Sequence, residues 1–545
     1  MRKVILLLAS ITLSFGLLSC DTDLNQVNPN ELTTESYYQN AAQMETAVAA
    51  VYANFHTTRM LKRRQFFVQD ALSGIVGATS AAEDWIPSMI TWTHNSGNSG
   101  LTLHWEGLYQ GIKRANIVIN RMPDVENISQ SQRDQFLGEA HFLRAYYYHS
   151  LVTLWGDVPH FTDVKDAPGG EPLTSADSIY MQVESDLQVA LDNLPSSYDD
   201  GAQVGRATST AARALLGRAH LSQGDYGAAQ TALQAVIDNG DSPSGGDLQL
   251  VDSYFDNFRE ETENNSESIF EVQFAESSGG SPWAYQGGQG SNRTFRNQEY
   301  GFQHWRNVVA SENVAREMGV QDWESRASDP DEGIYQGTEA QVGDLADPRA
   351  TSTFYFACDT YNDGAQTYTT ATVDCGTGSS QRTISGDNRP SWKKYQKYYR
   401  APPHGSQNSG INFRQIRYAE VLLGLAEAQA QLGNITSSGN ASDPAVELMN
   451  QVRDRVGLDG YNDGAGTVSS QQEAMDALYH EFVLEFSGEE ALFHFLFRNT
   501  GYLEQLNPSA AENKSAAAPE YKQPIPVTEI ENNPAVGSGD QNPGF

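Results

Sequence analysis

Positive charge is scarce in this chain. Its 545 residues carry 35 Lys plus Arg against 69 Asp plus Glu, a formal charge of −34. Proteins bind nucleic acid by letting lysine and arginine displace condensed counterions, so a chain this acidic, with no basic stripe, is not expected to take nucleic acid as a partner. Cysteine is nearly absent, at three residues. No apolar run reaches the ~20 residues that a membrane-spanning helix needs; the segment from Val4 to Leu18 falls short. Nor does the sequence contain a G-x-S-x-G elbow, an H-E-x-x-H helix, a phosphate-binding P-loop or a dinucleotide fingerprint, so no enzyme class announces itself. What the chain does have is 39% hydrophobic and 10% aromatic residues, enough for a packed core and against a disordered acidic chain.

Met1 to Cys20 reads as a signal peptide: Arg2 and Lys3, the apolar run, then Leu17-Leu18-Ser19-Cys20. Those last four residues resemble a bacterial lipobox, which predicts residues 1–19 as a cleaved leader and Cys20 as the acylated first residue of the mature chain. Several acyl chains at ~0.8 kcal/mol per buried CH₂ would hold it on a membrane. Residues 20–31 read as an extended tether and 32–545 as one domain. In an exported protein, Cys358 and Cys375 are predicted to form a disulfide around a Gly/Thr/Asp-rich loop, contributing ~3 kcal/mol in the chain-entropy model. With no histidine beside them, they do not suggest zinc.

Periodicity makes the fold mainly α. Met44, Val48, Val51, Tyr52 and Phe55 fall on one helical face, as do Trp105, Leu108, Ile112, Ala115 and Val118 in a run that ends at Pro123. The string L-G-x-A occurs at Leu137–Ala140, Leu216–Ala219 and Leu423–Ala426, each inside an amphipathic run. The second and third copies precede further helices, Ala228–Ile237 and Ala445–Val456. A leucine for the core and small residues for a close crossing predict a tetratricopeptide-like scaffold of helical pairs. Between these copies, about residues 239–410, lies a large, irregular, loop-rich insertion rich in Gly, Ser, Asn, Gln and Asp, with short strands such as Ile269–Phe274. Binding sites tend to sit on such loops.

Two sets of motifs carry a family resemblance. One is Asn412–Leu423, Leu448–Arg453 with Val456-Gly457-Leu458, Pro524-Ile525-Pro526, Glu529-Ile530 and the terminal Gln541–Phe545. The other is Trp105, Tyr109, Ala115-Asn116, Ala140–Tyr148 and Leu154–Pro159. Together they resemble the RagB/SusD family over essentially the whole mature chain. A charged helix departs from the family pattern: Glu481, Glu485, Glu489, Leu496, Arg498 and Gly501 fit, whereas Phe482, Glu490, Leu492 and Phe495 do not. The polar network there is therefore expected to be more apolar, or its surface to be covered by a partner.

The resemblance implies a surface-exposed, lipid-anchored outer-membrane protein facing the cell exterior. Such a protein would capture oligosaccharides and deliver them to a SusC-like TonB-dependent transporter as a hinged lid, without cleaving them. Peptide capture within the same family and a surface glycoside hydrolase are the alternatives. Asp21 and Asp23 are similar to the acidic export signals of such lipoproteins. A sugar site needs open aromatic faces beside amides, carboxylates or guanidinium groups. Trp85, Trp92 and Asn95 lie in a polar connector, and Trp283, Tyr285 and Trp305, with Phe295 and Tyr300 between them, lie in the insertion; these are the expected ligand contacts. Arg293, Arg296 and Arg306 could read anionic groups, though an uncharged glycan fits so acidic a chain equally well.

Other residues have plainer readings. Trp105 and Trp155 are expected in the core, His141 and His149 in packing or surface roles, and Trp392–Arg400 as a strand with solvated lysines. Glu489 and Glu490 point about 100° apart and are expected on a solvated edge, not as a glycosidase pair. No catalytic residue, metal ligand or cofactor is predicted. Asp359–Gly364 lacks EF-hand spacing, which leaves only a structural calcium of looser geometry open.

Overall fold

Polar side chains mark where the helices begin. Asn40, Asn98, Ser129, Ser175, Thr208, Asp225 and Ser470 each accept a hydrogen bond from a backbone N–H of the turn that follows, satisfying donors the helix itself leaves open. In this computed structural model, which describes residues 37–164, 169–275, 293–302, 304–319, 347–355, 359–361, 366–370, 380–384, 389–399, 409–513 and 521–545, the main helices run in chain order. They are α1 (Ala41–Tyr52), α2 (Arg64–Ser73), α3 (Trp85–Ile90), α4 (Ser99–Arg121), α5 (Gln130–Trp155), α6 (Ala176–Asn193), α7 (Ser209–Gln223) and α8 (Tyr226–Asn239). After the insertion come α9 (Tyr418–Gln431), α10 (Pro444–Asp454), α11 (Gln471–Phe486) and α12 (Glu490–Arg498). The leader, Cys20, the tether, Trp283, Tyr285, Cys358 and Cys375 lie outside the described residues.

The tetratricopeptide-like frame is what the structure shows. Each of α4 to α8 packs on the next; α9 then packs on α8, and α10 on α9, so the array continues across the insertion. The glycines of the L-G-x-A strings sit at the crossings. A Cβ on Gly217 would lie 2.4 Å from Leu233, one on Gly138 2.8 Å from Leu194, and one on Gly424 3.2 Å from Leu221. Gly224, at φ +72°, makes the left-handed turn between α7 and α8. Trp105 and Trp155 are core residues, as expected, and pack edge to face at 5.1 Å.

Within the insertion the described strands pair mostly with segments outside it or with each other. Counting the two partners outside it, Val76–Ala78 and Phe413–Arg417, the strands are β1 (Val76–Ala78), β2 (Ser268–Val272), β3 (Val308–Ala310), β4 (Phe354–Tyr355), β5 (Ser391–Trp392) and β6 (Phe413–Arg417). β3 runs antiparallel to β1, with Val76 opposite Ala310; β2 runs antiparallel to β6, which leads into α9; β5 pairs with β4. Residues 360–361, 366–370 and 380–384 form a small three-stranded sheet.

Ion pairs tie Arg349 and Lys394 of the insertion, and Arg417, Arg453 and Arg455 beyond it, to α11 and the start of α12, and the charged side chains correct three expectations. First, the charged network is dense. Glu481 pairs with Arg349 (2.9 Å) and Arg453 (2.6 Å), Glu485 with Arg417 (2.6 Å), Arg455 (2.5 Å) and Arg349 (3.1 Å), and Glu489 with Arg417 (2.7 Å) and Lys394 (2.9 Å). The substituted Phe482 and Phe495 stack on each other at 4.2 Å beside this network without interrupting it.

Second, Glu489 and Glu490 are buried, not solvated. Their side chains diverge: Glu489, in extended backbone just before α12, enters the network, while Glu490 accepts from the Tyr146 hydroxyl (2.7 Å) and meets His494 (2.9 Å). Burial pushes both carboxyls up. Arg417 and Lys394 outweigh it at Glu489, whose pKa falls, while Glu490 stays raised. Third, Lys394 is fully buried; burial pulls its ammonium down to about 8 despite Glu489. The histidines keep packing roles: His141 bonds Asp186 (2.7 Å), and His149 lies buried with its ring 4.8 Å from that of His494.

Candidate functional site

Among the described residues, Trp305 is the one tryptophan with a large open surface, at 40% exposure. The backbone around it explains why. Arg296–Tyr300 forms one short helix, and the Trp305 N–H donates to the Gln298 carbonyl (3.1 Å) while the Asn307 N–H donates to that of Glu299 (2.7 Å). Arg306 then takes a left-handed φ of +49°, costly for a side chain with a Cβ and sustained only where the surroundings fix it. They do: Arg306 is buried and donates to the Ser391 hydroxyl (2.9 Å) and the Arg389 carbonyl (2.7 Å), and its own carbonyl accepts from the Thr79 hydroxyl (2.7 Å). Trp305 is thus left outside by a neighbour tied inside.

The β1–β3 pairing extends through the Thr79 N–H to the Asn307 carbonyl (3.0 Å), bringing residues 79–85 and 302–307 to one edge. Arg63 crosses that edge from below. Its guanidinium pairs with Glu83 (2.5 Å) and with buried Glu299, which also accepts from the Asn307 amide (2.5 Å). Burial lifts the Glu299 carboxyl in spite of Arg63. At half-buried Glu83, burial pushes up less than the bonds from Arg63 and Trp85 and the charge of Arg63 push down, so it stays ionised. The result is an exposed indole on a hydrogen-bonded edge to which the Glu83 carboxylate is tied through Arg63 and Glu299.

The other expected contacts fare differently. Trp85 is 8% exposed: Arg64 lies 4.6 Å over its ring, Phe67 packs edge-on at 5.4 Å, and Gly100 approaches its far side. Its indole N–H already donates to Glu83 (2.6 Å), so it supports the edge from within and offers no open ring face. Trp92, at 6%, is likewise a core residue, donating to the Leu72 carbonyl (3.2 Å) and packing on Phe497 and Tyr521. Beside it, His94 is held by Gln523 (2.8 Å) and Phe545. Asn95 is exposed but folds its side chain back onto the Gly97 N–H (2.9 Å), making a turn.

Phe295 and Tyr300 are buried, the latter donating to Asp70 (2.7 Å). Arg296 pairs with Asp70 (2.9 Å), so neither it nor Arg306 faces outward to read an anion. Thr79, Glu83 and Asn307 were not singled out by the sequence; no local pattern marks them, because only the β1–β3 pairing and the Arg63 ion pairs bring them to this edge. Among the described residues no cluster of three His, Cys, Asp or Glu side chains is arranged to hold a metal ion.

The SusD family model matches residues 266–545, and a second model, described as starch-binding associating with outer membrane, matches residues 24–221. The chain belongs to the SusD family. It is 25% identical to SusD-like protein P2 of Formosa agariphila over 554 residues, 98% of each chain. A SusD-like protein of Bacteroides ovatus is 26% identical over 295 residues, 50% of each chain. Among solved structures, a SusD superfamily protein from Bacteroides vulgatus superposes with a TM-score of 0.70 at 22% identity, covering 93% of this chain and 100% of that one. A structure described as a laminarin-binding SusD-like protein gives 0.67 at 22% identity with the same coverage. These likenesses establish a SusD fold.

Proposed function

We propose that this SusD-family chain is a glycan-binding protein of the outer membrane, lipid-anchored through Cys20 and facing the exterior, which captures oligosaccharide and passes it to a SusC-like TonB-dependent transporter. The observation that carries the reading is the exposed Trp305 ring fixed by backbone hydrogen bonds and a buried Arg306. A sugar's C–H face gains by covering such a ring, and Glu83, tied to the same edge through Arg63 and Glu299, can accept hydroxyl donors. Trp283 and Tyr285, which lie outside the described residues, are proposed to add further faces. Preorganisation lowers the entropy cost of capture, while the few contacts keep affinity modest enough for handover. The family description and the laminarin-binding neighbour support carbohydrate as the cargo.

Binding without cleavage is part of the proposal. The adjacent carboxylates Glu489 and Glu490 are locked into buried polar networks and cannot flank a glycosidic bond. The test incubates the mature protein with an oligosaccharide panel and with a peptide digest, and chromatographs the bound sugar afterwards. Retention of glycan with unchanged chain length is expected. Retention of peptides alone, or shortened sugar products, would overturn the reading. Labelling with palmitate that is lost in Cys20→Ser would support the anchor.

A further inference from the structure

A cavity of about 530 Å³ lies along one face of α4, away from the Trp305 loop, and falls in the size range of small-molecule sites. Tyr109 and Phe161 form an aromatic corner in it, their rings perpendicular (90°) with centroids 5.7 Å apart, and Trp105 extends the wall at 5.0 Å from Tyr109. The corner is fixed before any ligand arrives. The Tyr109 hydroxyl donates to the Pro159 carbonyl (2.8 Å), and the Phe161 carbonyl accepts from the Asn116 amide (2.8 Å) and the Tyr148 hydroxyl (2.9 Å). Both rings are half-buried, so part of each faces the space.

Inside, the Gln110 Oε1 is shielded from solvent and has no hydrogen-bond partner among the described residues. An unmet buried acceptor costs on the order of 1–3 kcal/mol, which a ligand donor would relieve by drawing the side chain round into the space. The charged lining is Arg59, Lys113, Glu106, Asp163 and Glu529, two cations against three carboxylates, with Arg59 and Glu106 already paired at 3.0 Å. Such a lining, in a chain of formal charge −34, does not favour an anion.

We infer that this cavity is a second saccharide subsite, separate from the Trp305 edge, taking an uncharged sugar whose C–H face lies in the Tyr109–Phe161 corner and whose hydroxyl donates to Gln110 Oε1 once that side chain turns into the space. The sugar class rests on the proposed glycan function; the position of the subsite rests on the cavity alone. Aromatic walls supply apolar contact with ring C–H groups, and the amide supplies the direction that a purely greasy pocket lacks.

The experiment titrates the full mature protein calorimetrically with laminari- and malto-oligosaccharides, comparing wild type with Gln110→Leu, Phe161→Ala and Trp305→Ala, each checked for an unchanged melting profile. The inference expects a saturable site that survives in Trp305→Ala, and whose affinity falls about tenfold in Gln110→Leu, the equivalent of one directed hydrogen bond. Should Gln110→Leu melt early, Phe161→Ala carries the same expectation. If both cavity variants bind as wild type while Trp305→Ala loses all binding, the subsite is refuted and the proposed function stands. If wild type binds none of these sugars, both fall.

Discussion

Trp92 and Trp305 occupy stretches of equally polar sequence and meet opposite fates. Around Trp92 the chain reads Thr-Trp-Thr-His-Asn-Ser, and around Trp305 it reads Gln-His-Trp-Arg-Asn, yet the first ring is 6% exposed and the second 40%. The difference is made by segments far along the chain. Trp92 is covered by Phe497 and Tyr521, and its neighbour His94 by Phe545. Both sites use a left-handed residue, Trp92 itself at φ +54° and Arg306 at +49°. In one the strained residue carries the ring inward; in the other it goes inward itself and leaves the ring outside. Local polarity therefore says that a tryptophan lacks a local core, and nothing about whether a distant one will reach it.

The contrast can be broken from its strongest side first. Arg417→Met should cost about 3–5 kcal/mol, because it takes from a dry network the one cation shared by Glu267, Glu485 and Glu489; urea unfolding with an unchanged midpoint would refute that role. Trp92→Ala should lose about 3–4 kcal/mol by the same measurement, as large core truncations do, while Trp305→Ala should stay within about 0.5 kcal/mol of wild type. Equal losses would erase the distinction between the two rings. Gly217→Val, pushed into Leu233 at the α7–α8 crossing, should cost about 1–3 kcal/mol, and a neutral outcome would show the crossing to be looser than the 2.4 Å approach implies.

The smallest effect is one of pH. Glu263, which accepts from the Asn412 N–H (2.7 Å), is pushed up to about 8, chiefly by burial and further by Glu271, from an ordinary value of 4.5. The folded chain therefore keeps a proton that the unfolded chain has released, and this group's contribution to stability declines as pH rises from 4.5 to about 8. Glu263→Gln should flatten the stability profile over that window. An unaltered slope in melting experiments would place the proton elsewhere.

Much of the frame was legible because helices report their buried face within a few residues: Trp105, Trp155 and the glycines of the L-G-x-A crossings all lie where their periodicity puts them. The charged side chains were not legible in that way. Glu489, Glu490 and Lys394 have polar neighbours and were expected in water, but partners brought from Arg417, Tyr146 and α12 itself draw them inside. The candidate site was half legible. An exposed indole at Trp305 could be proposed from composition, whereas Thr79, Glu83 and Asn307 on the same edge depend on a strand pairing across more than two hundred residues of chain. The cavity on α4 carried no signal as a site, since Trp105 in an amphipathic helix read simply as core and Tyr109 only as part of a family motif.

The most direct test of the central claim is the dissociation constant of the mature protein for the best-bound oligosaccharide, measured side by side in wild type and Trp305→Ala together with their melting temperatures. A fixed, solvent-facing ring used for capture predicts at least about tenfold weaker binding at an unchanged melting temperature, one stacking contact being worth roughly 1–1.5 kcal/mol. Unchanged affinity, or a lower melting temperature with affinity intact, would show Trp305 to be part of the packing and contradict the account.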